Sequence, residues 1–506
     1  MSRVLLITPY GFQNAGVRLL SAVLRREGFE ASILFLKGWR NNDVQPPTAQ
    51  EYRLLQDHVR QLGPELIGIG FGTPHLKVVT ELTRRLRAVS PAHIVWGGVH
   101  PTIVPEDGIE HADSVCVGEG ELPLVDLARA LRDGAPVERI PNLWVRSGAE
   151  VVRNPPRPLI QALDELPFGE LAGGEMAWID GGRLVQGNPA VDNALYRVFA
   201  SRGCPFRCAY CYNSQFRQIY AGLGRYHRVR SVANVIDELA AARRALPALR
   251  RVRFDDDTFV FPRRWIEELC REYPRRVGLP FDILLNPQAA SADTLRKLRA
   301  AGLVHAQVGI QSGSRRELEG SFARRGSAER TLELARLLAQ LGIEVTYDVI
   351  LDNPLATPED HRQLLELLLA LPRPYSLFIY SLTVFPRSAI ARQLLEAGLI
   401  GEEQIEGRAT KSHRQFRLTL DYPRPPEEAS FAAIVSLCSK GFIPRAAIRA
   451  LWRSNYLRQH PAGLRIVAET ANAVKLGQVA WRMWRRRELS MFKLAEYASF
   501  RRRIIQ

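Results

Sequence analysis

The sequence lacks a long apolar run, and this shortage excludes a membrane-spanning chain. No stretch of the 506 residues approaches the roughly 20 apolar residues that a helix needs to cross a bilayer. The first eight residues run directly into a strand-like segment, without the apolar region and cleavage site of a signal peptide. We therefore expect a cytoplasmic protein, and the length allows two or three domains with ample cores.

Acidic residues are scarce only near the carboxyl terminus. The formal net charge is +16, and residues 440–506 hold fifteen Lys and Arg against three Glu, so this tail carries +12 and the rest about +4. A basic helical tail with aromatic residues suits an anionic membrane surface, but it could also be a helical cap with a solvated basic face. Nucleic acid is the least favoured partner, because no RNA-binding signature is evident. The tail's large apolar residues are Trp481, Trp484, Met491, Phe492 and Phe500.

Cysteine is also scarce, yet three of the six cysteines stand together in a C-x3-C-x2-C pattern at Cys204, Cys208 and Cys211. Three thiolates can hold a 4Fe–4S cube and leave one iron without a protein ligand. Structural zinc usually takes four ligands in two close pairs, and the remaining cysteines are isolated. We favour an iron–sulfur cluster, with a zinc-containing basic protein that binds RNA or membrane as the non-enzyme alternative.

The segment from Ser201 to Asn213 resembles the cysteine loop of the radical S-adenosylmethionine (SAM) enzymes, and the resemblance covers about residues 195–400. It implies that the three cysteines hold the cluster, that the open iron binds SAM, and that Tyr210 lies beside the adenine. An external electron donor is then required. The thiols must stay reduced, which fits a cytoplasmic, low-oxygen setting without disulfides.

Residues 4–132 alternate apolar runs with stretches of 3.6-residue periodicity, which predicts a doubly wound parallel sheet. Ligands bind such sheets beyond the carboxyl ends of the strands. The predicted strands are Val4–Thr8, Ala31–Leu36, Leu66–Phe71, His93–Trp96 and Ser114–Val117, and the predicted helices are Val17–Arg26, Ala49–Gln61, Leu76–Val89 and Leu122–Arg132.

The run from Gly97 to Thr102, followed by Asp113 and a Gly-Glu-Gly-Glu turn at 118–121, resembles the cobalamin-binding domain that precedes many radical SAM barrels. The resemblance implies that Thr73, Gly97 and Gly98 contact the nucleotide tail of cobalamin. No histidine occurs before His58, so the loop after the first strand cannot supply a cobalt ligand. His100 is more plausible as a turn histidine than as that ligand.

Strand and helix patterns alternate again after the cysteine loop, as in the partial (β/α)6 barrel of the resembled family. The chemistry of such barrels lies at the carboxyl ends of the strands. The resemblance implies that Asp256, Asp257, Asn286, Gln311 and Ser312 contact SAM. The six predicted strands are Arg197–Ser201, Arg251–Phe254, Phe281–Asn286, His305–Ile310, Val345–Leu351 and Ser376–Val384.

The sequence thus predicts an α/β protein in four parts. These are a cobalamin-binding Rossmann-like domain (1–135), a Pro- and Gly-rich connector (136–190), a radical SAM partial barrel (191–420) and a basic helical region (421–506). By resemblance, a 5′-deoxyadenosyl radical and methylcobalamin methylate an unactivated carbon of a small or lipid-like substrate. Cyclisation, oxidation and rearrangement on the same scaffold stay open. So does peripheral contact with the inner membrane surface through the tail.

Overall fold

The computed structural model describes residues 3–38, 46–171, 175–405 and 424–485. The chain divides into two compact units, of which the first comprises residues 1–39, 44–250 and 384–410 and the second the remainder. This division does not test the four boundaries predicted from the sequence, which stay predictions.

An N-terminal sheet forms the centre of the first unit. Its five inner strands are parallel and are buried on both faces, which is why they read as continuous apolar runs. Within the described residues the strand order is β7-β6-β5-β4-β3-β1-β2-β8-β9. The strands are β1 (Arg3–Pro9), β2 (Glu30–Leu36), β3 (Leu66–Gly70), β4 (His93–Gly97), β5 (Ser114–Cys116), β6 (Leu143–Ser147), β7 (Glu150–Arg153), β8 (Glu175–Asp180) and β9 (Arg183–Gln186).

Amphipathic helices cover both faces of this sheet, and one apolar core lies on each face. Side-chain caps begin two of these helices, because Asn14 accepts from the Val17 N–H and Thr48 forms a capping box with Glu51. The predicted doubly wound fold is confirmed. The helices are α1 (Ala15–Arg26), α2 (Ala49–Leu62), α3 (Leu76–Arg87), α4 (Val99–Ile103), α5 (Pro105–Ile109) and α6 (Glu121–Asp133), with a 3₁₀ turn at Thr73–His75.

The segment predicted as an extended connector contains two β-hairpins instead. Strands β6 and β7 extend one edge of the sheet, and β8 and β9 extend the other. Gly181 and Gly182, both with positive φ, form the turn between β8 and β9. The high proline and glycine content masked these short strands, because Pro and Gly also flank edge hairpins. Gly173 and Gly174 lie outside the described residues.

The remainder of the first unit surrounds the cysteine loop. The predicted strand Arg197–Ser201 is wrong in its bounds, since β10 (Leu195–Val198) ends early and β11 (Ser201–Arg202) pairs antiparallel with β12 (Arg228–Val229). The chain turns away after Val198 because β11 must meet β12 at the base of the loop. The helices of this part are α7 (Tyr212–Ile219), α8 (Val232–Ala245) and α13 (Ala389–Glu396), with 3₁₀ turns at Leu163–Glu165 and Glu402–Gln404.

The second unit contains parallel strands that pair in chain order. The other predicted barrel strands are all present, with ends that differ from prediction by up to three residues. They are β13 (Arg251–Phe254), β14 (Phe281–Leu285), β15 (Leu303–Gln311), β16 (Glu344–Leu351) and β17 (Ser376–Ser381). The helices between them are α9 (Arg263–Arg276), α10 (Ala292–Ala301), α11 (Ala328–Gln340) and α12 (Pro358–Ala370), with a π-helical turn at Glu317–Ser321.

The C-terminal region is helical, as predicted. Its described helices are α14 (Pro426–Cys438), α15 (Arg445–Arg453), α16 (Asn455–Gln459) and α17 (Pro461–Arg485). Met491, Phe492 and Phe500 lie outside the described residues. No helix in the described ranges is both long enough and apolar enough to cross a membrane.

Candidate functional site

The cysteine loop is closed at its base by a short antiparallel pairing. Arg202 of β11 lies opposite Arg228 of β12, so the chain between them returns to its starting point. Gly203, with φ of +77°, turns the chain out of β11, and an added Cβ there would lie 2.4 Å from the Tyr226 carbonyl oxygen. The loop therefore needs glycine at this position, one residue before the first predicted ligand.

Hydrogen bonds to the main chain hold the three predicted ligands on this loop. Ser214 Oγ donates to the Cys208 carbonyl at 2.7 Å, and Arg217 donates to the Cys204 carbonyl. Cys208 is buried and Cys204 and Cys211 are half-buried. Cys211 is the N-cap residue of α7, so the helix begins directly after the third predicted ligand.

The donor set of this loop fits a 4Fe–4S cluster better than a single ion. All six cysteines of the chain are thiols. In the part of the chain that the structure describes, no three His, Cys, Asp or Glu side chains converge closely enough to hold one metal ion. A cube binds each thiolate at a different iron, whereas zinc would need them around one point. Tyr210 is half-buried between Cys208 and Cys211.

Replacement of Gly203 by alanine is expected to reduce cluster incorporation, because the new Cβ would clash with Tyr226 and displace the loop. Gly222 is the matched control, since its φ is +79° and no atom lies within 4 Å of its ideal Cβ. Both variants strain the backbone, but only the first adds a clash. Iron and sulfide counts per chain after anaerobic reconstitution measure the effect. Equal loss in both variants would contradict it.

The predicted cobalamin contacts lie together at the carboxyl edge of β3 and β4. The Phe71 N–H donates to the Gly97 carbonyl at 3.0 Å, and an added Cβ on Gly98 would lie 2.7 Å from the Phe71 carbonyl oxygen. Gly70, at the end of β3, has open space at its Cβ position. The two loops therefore pack tightly against each other at the strand ends, and Gly70 leaves open space beside them. Ligands of a doubly wound sheet bind in the crevice beyond these ends, so the position fits the nucleotide tail of cobalamin.

His100 takes part in local contacts within this crevice. It is fully buried, its Nδ1 lies 3.3 Å from Thr73 Oγ1, and its Nε2 lies 3.3 Å from Asp107. These contacts favour the turn histidine over a cobalt ligand. Thr102, which the sequence analysis did not assign, donates to the Gly98 carbonyl at 2.7 Å and accepts from the Gly118 N–H at 3.0 Å. It therefore ties the loops after β4 and β5 together.

The loop after β5 contacts the cysteine loop directly. Tyr220, the residue after α7, places its hydroxyl 1.7 Å from where a Cβ on Gly118 would be, and accepts from the Glu119 N–H at 2.8 Å. The Glu119 carboxylate lies 2.9 Å from Arg202 and 2.8 Å from Arg228. The loop after β5 and the base of the cysteine loop are therefore connected through one half-buried carboxylate.

The two aspartates predicted to contact SAM after β13 differ in burial. Asp256 is buried at 1 % exposure, whereas Asp257 is exposed. Asn286, after β14, is 3 % exposed, and its Nδ2 has no hydrogen-bond partner within the described residues. The Oγ1 of Thr258 is likewise buried without a partner there. Buried polar groups normally have partners, so both atoms fit a ligand such as SAM at the strand ends.

The predicted residues Gln311 and Ser312 follow each other at the end of β15, and Ser312 belongs to a hydrogen-bonded network. Gln311, with φ of +63°, folds its amide back over Gly309, where a Cβ would lie 2.7 Å away. Ser312 Oγ donates to the buried Glu317, which also accepts from Asn353 Nδ2 at 2.8 Å. Burial raises the pKa of Glu317 against the opposing effect of these two donors.

Glu317 was missed by the sequence analysis because it follows Arg315 and Arg316 and resembles part of a charged surface. The π-helical turn rotates it inward. One signal in the sequence was available. Asn353 stands where the resembled family has glycine, and a buried asparagine amide at that position needs a hydrogen-bond acceptor such as Glu317.

A second carboxylate of this unit, Glu428, has its pKa raised to about 7, chiefly by burial and then by the charge of Asp352, with Arg424 opposing. A carboxyl group with a raised folded-state pKa stabilises below its unfolded pKa and loses that contribution as the pH rises through 7. The Glu428 side chain is 34 % exposed, and His361 Nε2 lies 3.7 Å from its carboxylate. Because solvent screens a group of this exposure, its contribution to the free energy of unfolding is about 1 kcal/mol.

Glu428→Gln is therefore expected to stabilise the chain at pH 8 and to have little effect at pH 5. Glu427→Gln is the control, because that neighbouring side chain is exposed. Thermal unfolding at the two pH values measures the difference. A pH-independent effect of Glu428→Gln would show that the carboxyl group titrates normally.

The chain contains a doubly wound sheet with glycine-rich strand ends, then a three-cysteine loop, then parallel strands that end in polar side chains. This combination defines an enzyme with a metal cofactor and two ligand-binding parts. Comparison with known families agrees with this class. Residues 3–128 match the B12 binding domain, and residues 198–368 match the radical SAM superfamily. The chain belongs to the radical SAM enzymes that carry an N-terminal cobalamin-binding domain.

Three known proteins illustrate the likeness. An uncharacterized methyltransferase of Pyrococcus horikoshii is 26 % identical, over 67 % of this chain and 72 % of that protein. The anaerobic magnesium-protoporphyrin IX monomethyl ester cyclase of Cereibacter sphaeroides is 26 % identical, over 59 % of this chain and 48 % of the cyclase. The radical SAM methyltransferase TsrM from Kitasatospora setae, with cobalamin and a [4Fe-4S] cluster bound, superposes with a TM-score of 0.64 at 19 % identity over 93 % of this chain and 100 % of that one, which shows the fold.

The family assignment gives the cofactors as a 4Fe–4S cluster, SAM and cobalamin. The roles of the individual residues stay predictions. The structure brings the cysteines together on one loop, and it brings Thr73, Gly97 and Gly98 together in one crevice.

Proposed function

We propose that the chain is a cobalamin-dependent radical SAM methylase that acts on an unactivated carbon of a small molecule. The observation that carries the proposal is the contact between the crevice loop at Gly118 and Glu119 and the cysteine-loop residues Arg202, Tyr220 and Arg228. Methyl transfer that begins at an iron–sulfur cluster requires the cobalamin crevice to lie near that cluster, and this contact fixes the two loops to each other.

The chain's own residues bind, orient and exclude water, while the bound cofactors supply the electron, the radical and the methyl group. Cys204, Cys208 and Cys211 hold the cluster and leave one iron open. Asp256 lies at the end of β13, where an acidic group suits the ammonium of SAM. Ser312 is oriented by Glu317 and offers its oxygen to SAM.

Asn286 and the crevice residues supply the remaining contacts. The amide Nδ2 of Asn286 is a buried donor for the ribose or carboxylate of SAM. Thr73, Gly97 and Gly98 line the crevice for the nucleotide tail of cobalamin. Gln311, Asp257 and Tyr210 complete the proposed SAM contacts, Asp257 from its exposed position.

The test is to count the products of SAM. A methylase uses one SAM for its deoxyadenosyl group and another for its methyl group, so 5′-deoxyadenosine and S-adenosylhomocysteine should form in equal amounts. Full-length chain is reconstituted anaerobically with cobalamin and incubated with methyl-labelled SAM, a reductant and cell extract. Labelled product in the same amount supports the proposal.

Cyclisation is the second candidate, because one of the similar proteins is named as a cyclase. A cyclase would give 5′-deoxyadenosine with neither S-adenosylhomocysteine nor labelled product. Cobalt counted per chain separates a methylase further from a reaction that needs no cobalamin.

We also propose that the C-terminal helix contacts an anionic membrane surface, which would favour a lipid-like substrate. Trp481 and Trp484 of α17 are 59 % and 61 % exposed and stack with ring centroids 5.1 Å apart. Ile466 and Val474 lie exposed on the same helix. Exposed tryptophans on a basic helix suit the headgroup region of a bilayer.

Vesicle flotation of the full chain tests this contact. The double variant Trp481→Ser/Trp484→Ser should float less with anionic vesicles than wild type. The control Tyr456→Ser removes an exposed aromatic ring outside α17 and should float like wild type. Unchanged flotation of the double variant would remove the membrane proposal and leave the methylase proposal intact.

A further inference from the structure

Lys440 is a buried lysine that the proposed reaction does not use. It follows α14 and is 6 % exposed. Its ammonium group makes no hydrogen bond and no ion pair with any residue that the structure describes, although its main-chain N–H donates to Leu437. A buried charge without a counter-charge is unfavourable, and proteins usually pair it or neutralise it.

Two further cations surround the same helix end. Arg373 donates from Nη1 to the Ile443 carbonyl at 2.7 Å and from Nη2 to the Cys438 carbonyl at 2.9 Å. Its Nε is buried without an acceptor in the described residues. Lys475 donates from Nζ to the carbonyls of Tyr375 at 2.9 Å and Ser439 at 3.1 Å.

These carbonyls only partly balance the positive charge. The C-terminus of a helix offers the equivalent of about half a negative charge, and Arg373 and Lys475 share it. The carboxylate of Glu366 acts on Cys438 at the end of the same helix, but it pairs with Arg449 at 2.9 Å. Burial, and then the charge of Lys475, lower the pKa of Lys440 to about 7. The ammonium of Lys440 therefore has no counter-charge among the residues that the structure describes.

The three cations lie at the amino-terminal ends of the strands, whereas the candidate SAM contacts lie at the carboxyl ends. Arg373 and Tyr375 precede β17, whereas the proposed SAM contacts follow the carboxyl ends of β13, β14 and β15. A six-residue strand spans about 20 Å, so the two positions do not share a ligand. Space is open at Gly441, whose ideal Cβ position has no neighbour within 4 Å.

We propose that Lys440 and Arg373, with Lys475 beside them, form a binding site for a phosphate group. An ammonium and the Nε–H of a guanidinium are unused donors, and a phosphate accepts several such bonds while its charge compensates the buried ammonium. The phosphate could belong to a free phosphate ester or to a phospholipid headgroup. This site does not depend on the methylase proposal.

Thermal unfolding of the reconstituted full-length chain tests the site. Inorganic phosphate is compared with chloride at equal ionic strength in wild-type protein, Lys440→Met, Lys440→Arg and Arg296→Met. Arg296 is an exposed cation of α10 and serves as the charge-matched control. Ligand that binds only the folded state raises the unfolding temperature.

Phosphate is expected to raise the unfolding temperature by several degrees in wild type, Lys440→Arg and Arg296→Met, but not in Lys440→Met. Lys440→Met should fold, because it removes an unfavourable buried charge, and its unfolding temperature without phosphate should equal or exceed that of wild type.

A lipid source gives a different pattern. If phosphate has no effect, vesicles that contain phosphatidic acid should bind Lys440→Met several-fold more weakly than Arg296→Met, which supports the headgroup. If Lys440→Met responds like Arg296→Met to both phosphate and vesicles, the phosphate site is refuted, and the methylase proposal is unaffected.

Discussion

Replacing any one of Cys204, Cys208 and Cys211 with serine is expected to abolish the iron–sulfur cluster and, with it, formation of 5′-deoxyadenosine. Each thiolate holds a different iron of the cube, so a single loss leaves a second iron without a protein ligand. A serine hydroxyl titrates far above neutral pH and does not replace a thiolate. SAM cleavage should therefore fall to the level of protein without iron, rather than by a graded amount.

The matched control is Cys270→Ser. Cys270 is a half-buried thiol of α9, and burial raises its pKa to about 11, so it is neither a ready ligand nor a nucleophile. This variant should retain its iron and its SAM cleavage. Iron and sulfide per chain, visible absorption and 5′-deoxyadenosine are measured together. A serine variant of the triad that keeps full activity would refute the cluster assignment, as would stoichiometric zinc in the wild-type loop.

The parallel core was predictable because its signals are local. β1 and β2 are mostly apolar and are buried from their second residue onward, and helices such as α2 begin at side-chain caps that follow from a few neighbouring residues. The strands of the predicted connector were missed, because pairing at a sheet edge depends on the partner strand. β8 pairs with β2, which lies about 140 residues earlier in the chain.

The residues of the candidate functional site were predictable only where the signal is local in the sequence. The cysteines and the glycine-rich crevice loops could be predicted because each motif is contiguous. Glu317 and Glu119 could not, since each acts through partners far apart in sequence or through a local rotation. Glu119 joins two arginines 26 residues apart, and nothing in the Gly-Glu-Gly-Glu turn indicates that its first carboxylate pairs with a buried arginine.

Replacing Glu119 with glutamine is expected to produce the largest stability loss among the ionisable groups of the first unit. Its carboxylate accepts from Arg202 and Arg228 and from the Ile160 N–H at 3.0 Å. Burial alone would raise the pKa of Glu119, but the two guanidinium charges and the Ile160 N–H hold it below its usual value. Arg228 keeps a side-chain exposure of only 4 %, so the neutral amide leaves a buried cation without its counter-charge.

The expected cost is about 3–5 kcal/mol in the free energy of unfolding, the range found when one partner of a buried ion pair is removed. Because β11 and β12 carry the two arginines, the base of the cysteine loop should loosen as well. Glu119→Gln should therefore bind less iron and less cobalamin than wild type. Glu110→Gln, at an exposed position, should change the free energy of unfolding by no more than about 0.5 kcal/mol.

The pH dependence gives an independent check. A carboxyl group with a lowered pKa contributes stability above its unfolded pKa, and this contribution is lost as the pH falls through the folded value. The difference between wild type and Glu119→Gln should accordingly be full at pH 7 and should shrink toward pH 3. Denaturant unfolding across this range measures it. A difference that stays constant with pH would mean that the carboxylate does not hold the two arginines, and the connection between the crevice and the cysteine loop would then rest on Tyr220 alone.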